Sequence, residues 1–376
     1  MKILLLGEYS NVHWTLAEGL RTLGNEVTVV SNGDFWKNYP RDIDVVRKDG
    51  PLGGIRLYAK LLPLLPRLRN YDIVQLINPV FFELKAEHLS FFYRYLRRHN
   101  KKMILGAFGM DYYWVNECTT RKPLRYSDFN IADRLRTTTD ALKEQREWLD
   151  SEKGRLNQFI AKDCDAIVAG LYEYWVCYHP NFPDKTAFIP YPVKMPAGAS
   201  GLSHTPEAFL PAPSVVHAFI GINRSRNEYK GTDVMLRALE DIKDKYPDKI
   251  EISKAVSVPF AEYQCMMNNS DILLDQLYSY TPSMNALLAM SKGIICMGGG
   301  EPENYAILHE DTLRPIINVE PTYQSVFTAL EDLIKHAERI PRLKAESIAY
   351  AHKHHDFGKV ALQYEKLYQS VLAADS

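Results

Sequence analysis

The chain has 376 residues, with 45 Lys+Arg against 46 Asp+Glu, 46% hydrophobic and 24% charged. That length exceeds one ordinary hydrophobic core and suits two domains, and the composition excludes wholesale disorder and a fibre. The near-zero balance gives no reason to expect nucleic-acid binding, but it is a cancellation: residues 1–195 carry 28 basic and 23 acidic side chains, 196–376 carry 17 and 23, and 51–110 alone hold 10 against 3. The five cysteines are scattered and form no CxxC pair, which supports neither a disulfide framework nor a structural zinc site and fits a reducing cytoplasm. The first apolar run meets Glu8 too early for a signal peptide. No run reaches the roughly 18 apolar residues of a membrane span. A cytoplasmic location is expected.

Ile3–Leu6 is a short apolar run closed by Gly7, the pattern of a strand buried on both faces. Helical spacing over 12–23, a stop at Gly24 and a strand over 26–31 complete a βαβ unit. Further strands are predicted at 72–77, 102–106 and 165–169, with helices at about 83–99 and 131–160. Residues 190–213 hold six prolines and mark a linker. The rhythm then restarts, with strands at 214–220, 250–252, 271–275 and 293–297, helices at 232–245 and 284–292, and a closing amphipathic helix at 358–372. The expected fold is α/β: two doubly wound Rossmann-like domains facing across a cleft. The domains are expected at 1–195 and 196–357, with the helix 358–376 packing back on the first. Ligands of such sheets bind at the carboxyl ends of the strands.

The loop after the first strand, Gly7-Glu8-Tyr9-Ser10-Asn11-Val12-His13, holds one glycine, so the G-x-G-x-x-G dinucleotide fingerprint is missing and bound NAD or FAD is disfavoured. The strongest feature follows the linker. A strand ending near Ile220–Gly221 leads into Arg224, Arg226 and Lys230-Gly231 before a helix, so three cations stand where this fold binds ligands and can neutralise a diphosphate.

Arg224 and Lys230-Gly231 resemble the R-x5-K-G element of GT-B glycosyltransferases, and more specifically of the retaining family 4 (glycosyl transferases group 1). The resemblance extends over most of the chain, through Met1–Ser31, Asp165–Ala169 with Ile189-Pro190, Asp271–Glu303 and the closing helix. It implies that the C-terminal domain binds a nucleotide-diphosphate sugar as donor substrate. Arg224 and Lys230 would stabilise the leaving diphosphate and Arg226 would bind beside them. No separate cofactor is implied, and no metal, since no DxD-type loop stands out. The acceptor would be a glycan or a lipid-linked glycan, in a setting such as bacterial surface polysaccharide or glycolipid synthesis.

In the donor stretch, Thr281 is read as an N-cap with Pro282 opening a helix, and the N–H groups of 283–285 as an anion site. Gln276, Tyr278, Ser283, Met284 and Asn285 are candidates for sugar or phosphate contacts. Gly298-Gly299-Gly300 is either a flexible turn or a place of close ligand approach, with Gly299 a candidate donor contact. Glu301 is a candidate for a ribose hydroxyl pair. The E-x7-E positions of family 4 are Tyr280 and Leu288 here, and its H-G-x-D element reads Phe108-Gly109-Met110-Asp111. These departures keep open a non-catalytic sugar-nucleotide-binding protein or a sugar-nucleotide epimerase. Asp111, Glu8 and His13 are candidate bases, with Gly7 beside them on the acceptor side. His352–Asp356 is read as a solvated helix end. The basic stretches 56–69 and 88–99 are either ordinary helices with snorkelling side chains or a peripheral membrane contact.

Overall fold

The computed structural model describes residues 1–196, 211–222, 227–256 and 258–374. The chain divides into two compact units. Met1–Pro123, Lys143–Pro192 and Phe357–Ser376 form the first, and Leu124–Leu142 and Val193–Asp356 the second.

The chain opens with β1 (Lys2–Leu6), α1 (Val12–Thr22), β2 (Glu26–Ser31), β3 (Ile43–Asp44), α2 (Gly53–Leu61), β4 (Ile73–Leu76), α3 (Ala86–His99), β5 (Lys102–Ala107) and α4 (Tyr112–Thr119). Ile3–Leu6 is fully buried, as an unbroken apolar run between helical layers requires. The chain then visits the second unit, where β6 (Asn130–Ile131) and β7 (Arg134–Leu135) pair antiparallel. The helix expected over 131–160 is therefore corrected. Buried Asn130 donates to the carbonyls of Leu124 and Ala132 and turns the chain back. Helix starts only at α5 (Thr139–Trp148) and restarts at α6 (Glu152–Asp163), where Ser151 Oγ accepts from Gly154 N–H at 3.0 Å. β8 (Ala166–Ala169), α7 (Tyr172–Tyr178) and β9 (Thr186–Phe188) follow. The seven-stranded sheet runs β3-β2-β1-β4-β5-β8-β9, and every pair is parallel. The order reverses between β1 and β4.

The second unit continues with β10 (Val216–Ile222), α8 (Asn227–Lys230), α9 (Thr232–Lys245), β11 (Ile250–Val256), α10 (Phe260–Asn268), β12 (Ile272–Leu274), α11 (Met284–Ser291), β13 (Ile295–Met297), α12 (Pro302–Ile307), α13 (Tyr323–Lys335) and α14 (Ile340–His354). Its sheet runs β11-β10-β12-β13, all parallel, and reverses between β10 and β12. Its own core gathers Ile220, Leu239, Ile272, Ile295 and Leu330. The His352–Asp356 stretch is only partly solvated: Lys353 is exposed, as expected, but His354 and His355 turn inward. His354 Nε2 and Lys353 Nζ each lie 2.6 Å from the fully buried Glu310 carboxylate, and His355 is buried. Burial alone would raise the Glu310 pKa, but Lys353, His354 and the N–H groups of Leu313 and Thr312 hold it well below the usual carboxylate range.

The last helix, α15 (Phe357–Ala373), belongs to the first unit and packs along α1. A Cβ on Gly19 would lie 2.6 Å from the Phe357 carbonyl oxygen and 2.7 Å from Ala361 Cβ, so glycine sets that approach. Among the described residues no helix is long and apolar enough to cross a membrane.

Candidate functional site

In the second unit the helix that follows β10 meets the loop after β12 at the strand-order reversal, where doubly wound sheets bind ligands. Arg224 and Arg226 lie outside the described residues. Lys230 closes α8, and its carbonyl accepts from Leu277 N–H at 2.9 Å, joining α8 to the β12 loop. Gly231 follows at φ 69, and a Cβ there would lie 2.7 Å from both Leu277 Cβ and the Tyr278 ring. Only glycine lets Lys230 sit this close to the β12 loop.

Asp275, the residue after β12, is buried and accepts from Ser283 N–H at 3.1 Å and Ser283 Oγ at 2.7 Å. Burial raises its carboxyl pKa, while the Lys230 charge and the Ser283 bonds pull it down. This carboxylate explains why the helix start differs from expectation. Ser283, not Thr281, is the N-cap of α11, its Oγ accepting from Ala286 N–H at 3.4 Å, and Pro282 lies before the helix. The α11 N-terminus thus already faces one anionic group of the protein's own. Asn285 Nδ2 donates to Tyr263 Oη at 2.7 Å. Gln276, Tyr278 and Met284 are half-buried in the same loop and first turn.

The glycine turn packs against this loop. A Cβ on Gly298 would lie 2.7 Å from the Gln276 carbonyl oxygen, and one on Gly299 2.6 Å from the Thr281 carbonyl. The close approach these glycines permit is thus to the protein's own backbone. Glu301 and Glu303, after β13, are held by the 124–142 segment. Arg125 binds both carboxylates, reaching Glu303 at 2.7 Å, and Tyr126 Oη donates to Glu301 at 2.5 Å. Tyr280, at the first family Glu position, accepts from Arg125 N–H through its hydroxyl at 2.6 Å. From the same segment, Arg136 reaches the carbonyls of Glu228 and Tyr229 and lies 3.8 Å over the Tyr278 ring. Sequence reasoning missed Arg125, Tyr126, Arg136 and Asp275. For the first three no local signal exists, because their partners lie some 90–180 positions away; Asp275 was visible as a polar residue at a strand end.

In the first unit the corresponding reversal lies at the ends of β1 and β4. Gly7 sits at φ 83, where a Cβ would lie 2.3 Å from Ile77 Cγ2. Glu8 is buried and accepts from the N–H groups of His13 (3.2 Å) and Trp14 (2.9 Å), capping α1. Burial pushes its carboxyl pKa up to about 8, against those bonds. His13 is fully buried. Its Nδ1 lies 2.9 Å from the Gly7 carbonyl oxygen and its Nε2 3.2 Å from Gln75 Nε2, whose Oε1 accepts from Tyr368 on α15 at 2.7 Å. The Gln75 amide can only donate to Nε2, so the proton is on Nδ1 and both ring nitrogens are engaged. Burial lowers the His13 pKa to about 3. Asp111 caps α4, accepting from Trp114 N–H (2.9 Å) and from Tyr178 Oη (2.7 Å). Burial raises it to about 7. The structure brings Glu8 and His13 together and sets Asp111 at a different helix. Among the described residues no three His, Cys, Asp or Glu side chains cluster as a metal site.

No protein-family model matches the chain. No curated protein matches it either. Solved structures do match along its whole length. HepE from Anabaena, in complex with UDP and glucose, is 12% identical over 98% of this chain and 99% of that one, with a TM-score of 0.58. Sucrose-phosphate synthase from Thermosynechococcus elongatus is 14% identical over 100% of both, with a TM-score of 0.60. UDP-GlcNAc 2-epimerase from Neisseria meningitidis, bound to UDP-GlcNAc, is 12% identical over 98% of this chain and 100% of that one, with a TM-score of 0.51. The fold is that of the GT-B glycosyltransferases, as the resemblance at Arg224 and Lys230-Gly231 had implied.

Proposed function

We propose that this chain is a glycosyltransferase that moves a sugar from a nucleotide-diphosphate sugar to an acceptor hydroxyl. The second unit takes the donor and the first takes the acceptor at the β1–β4 reversal, whose loop Gly7 and Glu8 shape from within. The observation that carries this reading is Lys230, fixed at the β10–β12 reversal beside Asp275. As the bond from the anomeric carbon to the diphosphate breaks, negative charge grows on the departing phosphate oxygen. Lys230, with Arg224 and Arg226 in the same loop, offsets that charge without a metal. His13, Glu8 and Asp111 are each committed to contacts inside the first unit, which favours front-face, retaining transfer. There the acceptor hydroxyl attacks from the leaving-group side and its proton passes to the departing phosphate oxygen. Uridine nucleotides are the first donors to try, since HepE was solved with UDP and UDP-glucose. Hexosyl transfer in bacterial surface polysaccharide or glycolipid synthesis is the setting we propose.

Lys230→Ala is expected to cut transfer a hundredfold or more, the usual scale for a group that stabilises developing charge. Turnover unchanged in that variant overturns the reading. The likeness to the epimerase favours one second reading, a sugar-nucleotide epimerase. Appearance of an isomerised donor without any acceptor would establish it instead.

The acceptor side carries a membrane-facing surface in this proposal. The stretches 56–69 and 88–99 adjoin in the structure, with Tyr58 on α2 against His88 and Phe92 on α3 at 4.8 and 5.6 Å. Leu52, Ile55, Leu62 and Phe91 are exposed there beside exposed Arg56, Lys60, Arg67, Arg94 and Arg98, the composition of a surface that meets anionic lipid at the inner face of the membrane. Vesicles containing phosphatidylserine are expected to sediment the protein at low salt, and Ile55→Asp with Phe91→Asp to release it. No sedimentation of the parent chain at low salt overturns the membrane contact.

A further inference from the structure

We propose that Arg136, from the segment that the chain sends out of the first unit, is a positioning residue that fixes Lys230 in the donor site. This rests on the donor reading above. Arg136 is 8% exposed. One of its terminal nitrogens donates to the carbonyls of Ser127 and Asp128 (both 3.3 Å) and Tyr229 (3.2 Å), and the other to Glu228 at 2.7 Å. Its Cζ lies over the Tyr278 ring, 3.8 Å from the ring centroid. Among the described residues no carboxylate pairs with it. A buried guanidinium without a counter-ion is costly, and here its donors converge on the backbone just before Lys230.

The consequence is a clamp on one turn of chain. On one side Arg136 gathers the carbonyls of Glu228 and Tyr229, and on the other Leu277 N–H holds the carbonyl of Lys230. Gly231 is pressed against Leu277 and Tyr278, the ring on which Arg136 lies. Lys230 is therefore held at both ends of its backbone, with Arg136 on one end only. The segment delivering Arg136 is itself ordered by buried Ser127, Phe129 and Asn130. A lysine at 136 keeps the charge but is a point donor that cannot fork onto carbonyls of both sides. Arg136 thus acts on the donor through Lys230.

Titration calorimetry with UDP and ADP as probes tests this in the full chain, with Arg136→Ala, Arg136→Lys, Lys230→Ala and the double variant Arg136→Ala/Lys230→Ala. Arg136→Ala is expected to weaken binding about tenfold or more, and Arg136→Lys to recover only part of it. In the Lys230→Ala background, Arg136→Ala is expected to add less than about twofold, because a residue acting through Lys230 has nothing left to position. Parent-like affinity in Arg136→Ala, or full additivity in the double variant, overturns the proposal. If the parent chain binds neither probe, the donor reading is what fails. Amide hydrogen exchange over 227–232 then decides the clamp alone, with faster exchange expected in both Arg136→Ala and Arg136→Lys, and unchanged exchange in both overturning it.

Discussion

Glu8, His13 and Asp111 are polar residues that the fold buries for its own purposes, and their protons carry a signature. A carboxyl raised above its unfolded value lends stability that is complete below the unfolded pKa and lost as pH rises through the folded one. For Glu8 that loss runs from 4.5 to about 8, and for Asp111 from 3.8 to about 7. His13, lowered from 6.5 to about 3, acts oppositely: its neutral form is favoured, so stability grows as pH rises through that interval. Of these three groups, only Glu8 still changes between about pH 7 and 8. Thermal melting of the parent chain is expected to fall over that step, and Glu8→Gln, which keeps acceptor and donor but cannot ionise, to flatten the fall. Equal slopes in both would show that Glu8 is ionised throughout. The sequence displayed all three residues on strand-end loops, and that much was legible. What it hid was the accounting of hydrogen bonds: Glu8 belongs to α1 and Asp111 to α4 as caps, and His13 to Gln75, whose own partner Tyr368 lies 293 positions further on in α15.

At the scale of elements, the 124–142 segment is the part the sequence concealed. Regular strands and helices were legible because their periodicity is local, so β1, β2, α9 and α11 stand within a few residues of where patterning puts them. The β6–β7 hairpin has only two residues per strand and leaves no period to read. Its attachment is carried by single long-range contacts. Arg125 is the main one, and although its side chain is 56% exposed, the Glu301 carboxylate it serves is 7% exposed. Removing it leaves a buried carboxylate held by the Tyr126 hydroxyl. Arg125→Ala is therefore expected to destabilise the second unit by about 1–3 kcal/mol, the scale for a buried polar group that loses a bond, measured as a lower urea midpoint. Glu303→Ala removes a half-exposed partner and is expected to change stability by less than about 0.5 kcal/mol. Equal effects of the two variants would mean that Glu301 does not depend on Arg125. The same reasoning explains the α11 start. Thr281-Pro282 has the composition of a cap and first turn, yet Asp275 recruits Ser283, and a carboxylate eight residues upstream outranks a local preference.

At the scale of the whole molecule, the chain passes between the two units at 123/124, 142/143, 192/193 and 356/357. Of these crossings the proline-rich stretch announces one, since only there does composition change, while the others fall in ordinary sequence. The first unit is therefore closed by its most distant residues. Val360, Ala361, Tyr364 and Tyr368 of α15 are fully buried, and Asn25 donates to Glu365 at 2.8 Å. Burying a large apolar side chain is worth about 1.5–3 kcal/mol, so losing this set approaches the ~5–15 kcal/mol that holds a domain together. Removal of residues 357–376 should then unfold the first unit and leave the second, which has its own sheet and core. In calorimetry the truncated chain is expected to lose part of its unfolding heat. The transition that remains should still rise on addition of UDP, if the donor site is where Lys230 stands. Gly19→Leu provides the same test without truncation, because a side chain there would meet the Phe357 carbonyl at 2.6 Å and force α15 off α1. If either variant melts like the parent, in one transition at the same temperature, α15 is dispensable to the first unit and the two halves of the chain are less interleaved than their contacts require.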